Sequence, residues 1–246
     1  MLLFDMDETI TSAREVIKKE MVFEFTRLSK TNKIGIVSGS DISKIKEQLK
    51  PLLDKNIEIH IFECNGTGYY IYQNDLKLVK KVTMKEKIGL NKYKLIMRKL
   101  LKIQNSFVGM YQFDVSPPFI EDRGSMINWS LVGRSASYKE RDSFYNFDKK
   151  HLLRKEYSEI LNLSLNPNLK KDIKVSIGGK TSLDVFPYGW DKTFVFNYVN
   201  KEDVIFFGDK CEEGQNDYEI YNSLNENKRH HVSCPEETLS IIKNMT

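Results

Sequence analysis

The first third of the chain alternates short apolar runs with amphipathic segments. The runs are typical of buried strands, and they cover residues 2–4, 34–37 and 57–62. Between them, apolar side chains recur at the spacing of one helix face over residues 17–28 and 42–49. Short strands separated by amphipathic helices predict an α/β fold, in which a parallel sheet is covered by helices on both faces.

Polar residues near the start of each predicted helix indicate how the helices begin. Ser12 and Glu15 have the spacing of a capping box. Asp41 stands directly before the apolar face of the second helix. We therefore expect Ser12 to cap the first helix and Asp41 to cap the second.

The pattern changes after Asn65-Gly66. Two strand-like runs on either side of Asn74-Asp75 predict a hairpin, and a region of mixed pattern follows. That region has helical spacing over 91–103 and 138–163 and strand-like segments at 119–120, 126–129, 173–177 and 183–186. An apolar run at 203–207 then resumes the alternating pattern. The sequence thus predicts a Rossmann-like catalytic core at residues 1–81 and 188–246, interrupted by an inserted α+β cap domain at residues 82–187.

Composition narrows the class of protein. The chain has 246 residues, enough to bury a sizeable core. Its net charge of +4 comes from lysines spread along the chain rather than from a dense basic stripe, so we expect no nucleic-acid partner. The three cysteines have no disulfide or metal-site spacing, and no signal peptide or long apolar run stands out. We expect a cytoplasmic protein without a membrane partner.

Polar clusters follow three of the predicted core strands. They are Asp5-x-Asp7-x-Thr9, Ser38-Gly39-Ser40 and Asp209. Ligands of parallel α/β sheets collect at the carboxyl ends of the strands, and Mg²⁺ prefers carboxylates together with phosphate oxygens. A carboxylate in such a place can attack phosphorus, and a second one can relay a proton. Lys192 could neutralise phosphoryl oxygens. The order of these groups along the chain therefore predicts phosphoryl transfer.

This order resembles the haloacid dehalogenase superfamily, and the chain is similar over nearly its whole length to eukaryotic-type phosphomannomutases. The core runs that carry the resemblance are Phe4-Asp5-Met6-Asp7, Val37-Ser38-Gly39-Ser40-Asp41, Glu47-Gln48-Leu49, Asn65-Gly66, Gly189-Trp190-Asp191-Lys192 and Phe206-Phe207-Gly208-Asp209-Lys210. Those of the inserted region are Phe119-Ile120-Glu121, Gly133-Arg134-Ser135, Ser176-Ile177-Gly178-Gly179 and Leu183-Asp184-Val185-Phe186-Pro187.

The resemblance implies a role for each site residue. Asp5 would be the nucleophile and Asp7 the general acid/base, with Lys192 as a third catalytic residue. Asp209, Asp5 and the backbone of Asp7 would hold Mg²⁺. The substrate contacts it implies are Arg14, Ser38, Gly39, Ser40, Arg123, Arg134, Arg141, Ser182 and Asp184. Arginine forks suit phosphates, and serine and aspartate suit sugar hydroxyls.

The implied activity is interconversion of mannose 6-phosphate and mannose 1-phosphate through an aspartyl-phosphate. A mutase needs a second phosphate site for the phosphate that is not transferred, and an arginine-rich cap supplies one. The resemblance further implies a hexose 1,6-bisphosphate activator, a homodimer through the cap and supply of GDP-mannose for glycosylation. A sugar-phosphate phosphatase of the same superfamily would share the core and admit water.

Two residues depart from the family pattern. Glu8 stands where the family usually carries glycine, between Asp7 and Thr9. Its side chain could crowd the phosphate, weaken phosphate binding electrostatically or point to solvent, and a homologue of low activity is the corresponding alternative. Ser38 stands where glycine is frequent, so either Ser38 or Ser40 could bind phosphate.

Overall fold

The computed structural model describes residues 1–165 and 167–245. The chain forms two compact units. The core unit comprises residues 1–81 and the chain from Gly189 onwards, and the inserted unit is Val82–Tyr188. The strands are β1 (Leu2–Phe4), β2 (Ile34–Val37), β3 (Ile59–Glu63), β4 (Gly68–Gln73), β5 (Asp75–Lys81), β6 (Ile120–Asp122), β7 (Ile127–Ser130), β8 (Ile173–Gly178), β9 (Ser182–Pro187), β10 (Ile205–Gly208) and β11 (Arg229–His231).

Helices lie in several of the intervals between these strands and after β11. They are α1 (Lys19–Leu28), α2 (Ile42–Leu53), α3 (Met84–Ile88), α4 (Leu90–Met110), α5 (Tyr138–His151), α6 (Leu153–Ser164), α7 (Pro167–Lys170), α8 (Tyr218–Ser223) and α9 (Pro235–Lys243). A 3-10 helix at Lys192–Asn197 precedes β10. None of the described helices combines the length and the apolar character that crossing a bilayer requires.

The core unit is built on one sheet of seven strands in the order β11-β10-β1-β2-β3-β4-β5. The first five are parallel, and β4 and β5 extend the sheet as an antiparallel hairpin. Successive residues of a strand point to opposite faces, so Phe4 and Leu3 enter two different hydrophobic clusters. Helices α1, α2 and α9 cover one face, and α8 with the 3-10 helix covers the other. The predicted α/β fold class is therefore confirmed.

The inserted unit is an antiparallel sheet in the order β6-β7-β9-β8 packed with helices. Trp129 and Leu183, opposite each other in β7 and β9, are fully buried. Phe107 of α4 and Tyr157 of α6 lie edge to face with ring centroids 5.4 Å apart. The other face of the sheet carries polar side chains, which supply the row of residues described below.

Two details of the predicted helices were wrong. Helix α1 begins at Lys19 and has no side-chain cap, because Ser12 and Glu15 lie in a turn that precedes it, with the Glu15 N–H donating to the Ser12 carbonyl oxygen at 2.9 Å. The predicted helix at 138–163 is two helices that meet at Leu152, whose φ is 54°. The predicted cap of α2 is present, since Asp41 Oδ1 accepts from the Lys44 N–H at 3.1 Å.

Candidate active site

The candidate catalytic carboxylates lie at the carboxyl edge of the core sheet. Asp5 follows β1 and Asp209 follows β10, and these parallel strands are neighbours in which Phe4 is opposite Phe207. The Asp5 N–H donates to the Phe207 carbonyl oxygen at 2.9 Å, which extends the pairing by one residue. The register of the sheet therefore brings the two aspartates together at the edge where ligands of α/β sheets collect.

Lys192 supplies a buried positive charge at this edge of the sheet. Its side chain is fully buried, and Nζ donates to carboxylate oxygens of both Asp5 and Asp217. Burial opposes its charge, but the Asp217 and Asp5 carboxylates outweigh burial and raise the pKa of Lys192. Burial and the neighbouring Asp217 raise the pKa of Asp5 to about 8, against the opposite pull of Lys192. Asp5 and Asp217 thus share one buried ammonium, and Asp5 holds its proton to a higher pH than a free aspartate does.

Asp217 is a candidate site residue that the sequence did not predict. Its side chain is fully buried. Its N–H donates to the Lys210 carbonyl oxygen at 3.0 Å, and its Oδ2 accepts from the Lys210 N–H at 3.1 Å. A side chain at Gly208 would come within 2.8 Å of the same Oδ2, so glycine leaves the room that the carboxylate occupies. The available signal was Asn216-Asp217, which lies in the loop after Asp209.

Three carboxylates of this edge fit a divalent cation. One oxygen each from Asp5, Asp209 and Asp217 lie within 4.8 Å of one another. Oδ1 of Asp209 is buried, and no described residue donates a hydrogen bond to it. Mg²⁺ takes a few carboxylate oxygens and keeps waters and phosphate oxygens, so this donor set suits it. The carboxylate of Asp7 does not belong to the group, and its contribution through the backbone stays a prediction.

Asp7 is held by hydrogen bonds in the loop after β1. Its Oδ1 accepts from the Arg14 N–H and from Gln48 Nε2, both at 3.0 Å. Gln48 is buried on α2 and also donates to Thr11 Oγ1 and to the Glu15 carbonyl oxygen, each at 3.2 Å. The amide of Gln48 therefore ties Asp7 to the loop and fixes the orientation of its carboxylate. Sequence reasoning did not select Gln48, although it lies within a run that matched the family.

The side chain of Glu8 forms a hydrogen bond within its own loop. Its φ is 64°, the left-handed conformation in which glycine is favoured. The Glu8 N–H donates to the Thr11 carbonyl oxygen at 2.7 Å, and Oε1 accepts from the Ala13 N–H at 2.9 Å. Of the three possibilities left open by the sequence, a side chain that crowds the phosphate is the least favoured, because this hydrogen bond holds the Glu8 carboxylate at the Ala13 N–H.

We expect Glu8→Gly to change both stability and activity little. Glycine relieves a left-handed backbone that costs ~1–2 kcal/mol. It also loses the bond to Ala13, worth ~0.5–1.5 kcal/mol, and adds ~0.5–1 kcal/mol of chain entropy to the unfolded state. The free energy of unfolding in urea should therefore stay within about 1 kcal/mol of the parent, and turnover within about threefold. Glu8→Val, which is β-branched, is the control that should destabilise. Activity that appears only in Glu8→Gly would contradict this reading.

The loop after β2 leads into the N-terminus of α2. Ser38 is buried, and its Oγ accepts from the Ser40 N–H at 3.1 Å. Ser40 is half-buried, and Gly39 between them keeps the backbone accessible from one side. Backbone N–H groups at the start of a helix suit phosphate. Ser38 Oγ accepts this bond and can still donate its hydroxyl hydrogen, so the choice between Ser38 and Ser40 as the hydroxyl that binds phosphate stays open.

The inserted unit places several predicted substrate contacts in one row across its sheet. Glu121, Asn128 and Asp184 are successive partners on β6, β7 and β9. Arg123 Nε donates to Glu121 Oε2 at 2.8 Å, and Arg134 Nε lies 3.5 Å from the same oxygen. The row therefore brings Arg123, Arg134 and Asp184 together on one face.

The neighbouring side chains act on the pKa of Asp184. Burial raises its pKa, while a hydrogen bond of 2.6 Å from Asn128 Nδ2 and the charges of Arg123 and Arg134 act in the opposite direction. Ser182, two residues earlier, lies on the same face of β9 and donates to the Gly178 carbonyl oxygen at 3.0 Å. The carboxylate and the hydroxyl thus stand beside arginines, an arrangement suited to a phosphorylated sugar.

Two further predicted arginines belong to other elements. Arg141 is in the first turn of α5, where its N–H donates to the Ser137 carbonyl oxygen at 3.0 Å. Arg14 belongs to the core unit and is exposed in the loop between β1 and α1. Its φ is 65°, and its N–H is the donor that bonds Asp7. Their contacts with substrate stay predictions.

Comparison with known proteins defines the family. Residues 21–246 match the family described as "PMM: Eukaryotic phosphomannomutase". The chain belongs to the eukaryotic phosphomannomutase family. A phosphomannomutase of Glycine max is 34% identical over 99% of this chain and 94% of its own length. One from Solanum lycopersicum is 36% identical over 96% and 90%, and a probable phosphomannomutase of Caenorhabditis elegans is 34% identical over 99% and 94%.

Solved structures with lower identity show the same fold. The N-terminally truncated, IMP-bound IMP-nucleotidase of Plasmodium falciparum has a TM-score of 0.61 and 16% identity, over 98% of this chain and 66% of that chain. Trehalose-6-phosphate phosphatase of Aspergillus fumigatus, in one crystal form, has a TM-score of 0.51 and 18% identity, over 100% and 93%. These likenesses show that the fold of this chain also occurs in solved structures of low sequence identity.

Proposed function

We propose that this protein is a phosphomannomutase that interconverts mannose 6-phosphate and mannose 1-phosphate. The observation that carries the proposal is family membership over nearly the whole chain, including both units. The arrangement of Asp5, Lys192 and Asp217, with Asp7 held separately by Gln48, supports it. It supplies a buried carboxylate for attack and a second, oriented carboxylate for proton transfer.

The chemistry would proceed by phosphoryl transfers to and from Asp5. A carboxylate oxygen of Asp5 attacks phosphorus of a hexose 1,6-bisphosphate, so that the bond from phosphorus to the sugar oxygen breaks and an aspartyl-phosphate forms. Asp7 donates a proton to the departing sugar oxygen. In the return step the 6-hydroxyl of a mannose 1-phosphate attacks the aspartyl-phosphate and gives its proton to Asp7, so the bond from phosphorus to Asp5 breaks and a mannose 1,6-bisphosphate forms. After this intermediate turns round, Asp5 takes the phosphoryl group from the C1 oxygen, Asp7 returns the proton to that oxygen, and mannose 6-phosphate leaves. Lys192 keeps positive charge next to Asp5 throughout.

Magnesium would be held by Asp5, Asp209 and Asp217 with the backbone of Asp7. When bound, such an ion supplies positive charge that stabilises the transferring phosphoryl oxygens. The chain's own contribution is a fixed set of carboxylates, of which Asp217 is anchored by the backbone of Lys210. The Ser38–Ser40 loop would contact the phosphoryl group from the N-terminus of α2, and the exposed Arg14 is the further predicted contact from the core unit.

The inserted unit would bind the phosphate that is not being transferred. Arg123, Arg134 and Arg141 are the predicted phosphate contacts, and Ser182 with Asp184 would bind sugar hydroxyls. We further propose a cytoplasmic homodimer formed through the inserted unit, acting in the supply of GDP-mannose for glycosylation. These last points rest on the family relationship. Sedimentation at several protein concentrations tests the dimer, and a monomer at every concentration would rule it out.

One assay separates the candidate activities. The protein is mixed with MgCl₂, mannose 1-phosphate and catalytic glucose 1,6-bisphosphate, and both mannose 6-phosphate and inorganic phosphate are followed. We expect mannose 6-phosphate to form much faster than phosphate is released, and to depend on the bisphosphate. Parallel runs with glucose 1-phosphate measure the sugar preference. Phosphate release that outpaces isomerisation would identify a sugar-phosphate phosphatase instead, and no turnover beside an active relative would point to a homologue of low activity.

A further inference from the structure

A strained turn follows β3 at the edge of the candidate active site. Cys64, Asn65 and Gly66 all have positive φ, of 47°, 61° and 93°. Left-handed backbone at two successive non-glycine residues is unfavourable and persists only where the surroundings impose it. Here the Cys64 N–H donates to the Ser40 carbonyl oxygen at 3.0 Å, and the Asn65 N–H donates to that of Ser38 at 2.8 Å. The turn is therefore clamped to both ends of the Ser38–Ser40 loop.

The same turn also packs against the segment that carries Lys192. A side chain at Gly66 would come within 3.1 Å of the Val195 backbone nitrogen, in the 3-10 helix that begins at Lys192. On the other side, Asn65 Oδ1 lies 3.5 Å from where a Cβ of Gly39 would stand. Asn65 is thus placed beside the loop that is suited to phosphate, on an element that also contacts the lysine-bearing segment.

The side-chain amide of Asn65 lacks a protein partner for its oxygen. Oδ1 is buried, and none of the residues 1–165 and 167–245 donates a hydrogen bond to it. An asparagine that serves a left-handed turn structurally uses its side chain to bond neighbouring backbone, and a buried acceptor without a donor is destabilising. The Asn65 oxygen makes no such bond. A side-chain amide that binds a ligand therefore explains this geometry better than an amide that only stabilises the turn.

We propose that Asn65 is a further substrate-binding residue of the core-unit site. Its Nδ2 donates to a phosphoryl oxygen of a sugar phosphate held at the Ser38–Ser40 loop, and its Oδ1 accepts from a hydroxyl of the same ligand. A neutral amide adds a hydrogen bond without adding charge, so it holds the phosphoryl group without opposing its transfer to or from Asp5. This inference deepens the proposed function and rests on it.

The test uses a substitution that the backbone tolerates. Asn65→Gly keeps the left-handed turn free of strain and removes the amide together with its unpaired oxygen, so the fold should persist. Asn56→Gly is the matched control, because Asn56 is also left-handed, at φ 54°, and is exposed after α2. Asn65→Asp retains the shape and replaces the donor by a charge that repels phosphate. We expect the KM for mannose 1-phosphate to rise about 10- to 100-fold in both Asn65 variants and to be unchanged in Asn56→Gly.

A binding measurement without turnover gives a second readout. Inorganic phosphate with MgCl₂ should raise the melting temperature of the parent protein and of Asn56→Gly, and should raise that of Asn65→Gly much less. Equal KM values and equal phosphate-induced shifts in the two glycine variants would overturn the role of Asn65. If the parent turns over no mannose 1-phosphate, the proposed function fails, and the phosphate shifts still decide whether Asn65 binds the anion. A parent protein that phosphate does not stabilise would overturn the inference as well.

Discussion

Asp5→Asn is expected to abolish phosphoryl transfer and at the same time to stabilise the metal-free protein. The amide cannot attack phosphorus, so kcat should fall about 10³-fold or more. Burial and Asp217 raise the pKa of Asp5 to about 8, which means that ionising this carboxyl in the folded state is unfavourable. Replacing a buried group whose charged form is unfavourable commonly adds about 0.5–2 kcal/mol of stability, here a rise of ~1–8 °C in melting temperature.

The way in which the stability difference between Asp5→Asn and the parent changes with pH tests this expectation. A carboxyl whose pKa is raised on folding contributes stability at low pH and loses it as pH rises, here from about 4 to about 8. In EDTA, the stabilisation by Asp5→Asn should therefore be small near pH 4 and grow towards pH 8. Asp7→Asn is the matched control, because the Asp7 carboxylate accepts from Arg14 and Gln48 and lies outside the group formed by Asp5, Asp209 and Asp217. A variant Asp5→Asn that is less stable than the parent at pH 8 would contradict the electrostatics described here.

The meeting of Asp5 and Asp209 at one edge of the sheet could be predicted because local sequence pattern determines it. A buried parallel strand reads as a short apolar run, and the residue after it must lie at the sheet edge. Asp5 and Asp209 each follow such a run, so their meeting could be expected before any coordinates. The division near residues 81 and 188 is similarly visible, because the alternating α/β pattern stops and then resumes.

Contacts between distant segments could not be predicted in the same way. Asp217 contacts Lys192 because the loop after Asp209 folds back over Gly208. The residues next to Asp217 in the sequence do not indicate that the loop takes this path. The bond from Gln48 to Asp7 likewise joins a helix face to a loop 41 residues away. Both residues lay in or near runs that matched the family, but the partner of each depends on tertiary structure.

Prediction from the local sequence pattern also failed where a contact with another residue determines the backbone conformation. The helical pattern over 138–163 is continuous, yet Leu152 turns left-handed between α5 and α6. Asp148 accepts from both the N–H and Nε of Arg154, at 2.7 and 2.8 Å, and this buried ion pair fixes the corner. Glu8 is a comparable case, since its direction depends on the Ala13 N–H, which the one-dimensional pattern does not place.

Lys192→Met is expected to have a large effect on stability as well as on activity. Lys192 is fully buried between Asp5 and Asp217, and methionine of similar length fills its volume without its charge. Removing one partner of a buried ion pair costs about 3–5 kcal/mol, because the remaining charges stay buried without compensation. We expect a drop of ~6–20 °C in melting temperature and a loss of about 10²–10³-fold in kcat.

Magnesium distinguishes this electrostatic cause from a simple packing defect. In Lys192→Met the acidic group of Asp5, Asp209 and Asp217 has lost the positive charge of Lys192. A bound divalent cation should replace that charge and so stabilise the folded variant. We therefore expect MgCl₂ to raise the melting temperature of the variant by more than that of the parent. Lys210→Met is the matched control, because Lys210 pairs with Asp209 at 2.8 Å while its side chain is 48% exposed, and exposed pairs contribute only ~0–1 kcal/mol. Equal melting temperatures of the two lysine variants, with equal shifts in MgCl₂, would contradict this expectation. They would mean that the buried ammonium of Lys192 does not stabilise these carboxylates.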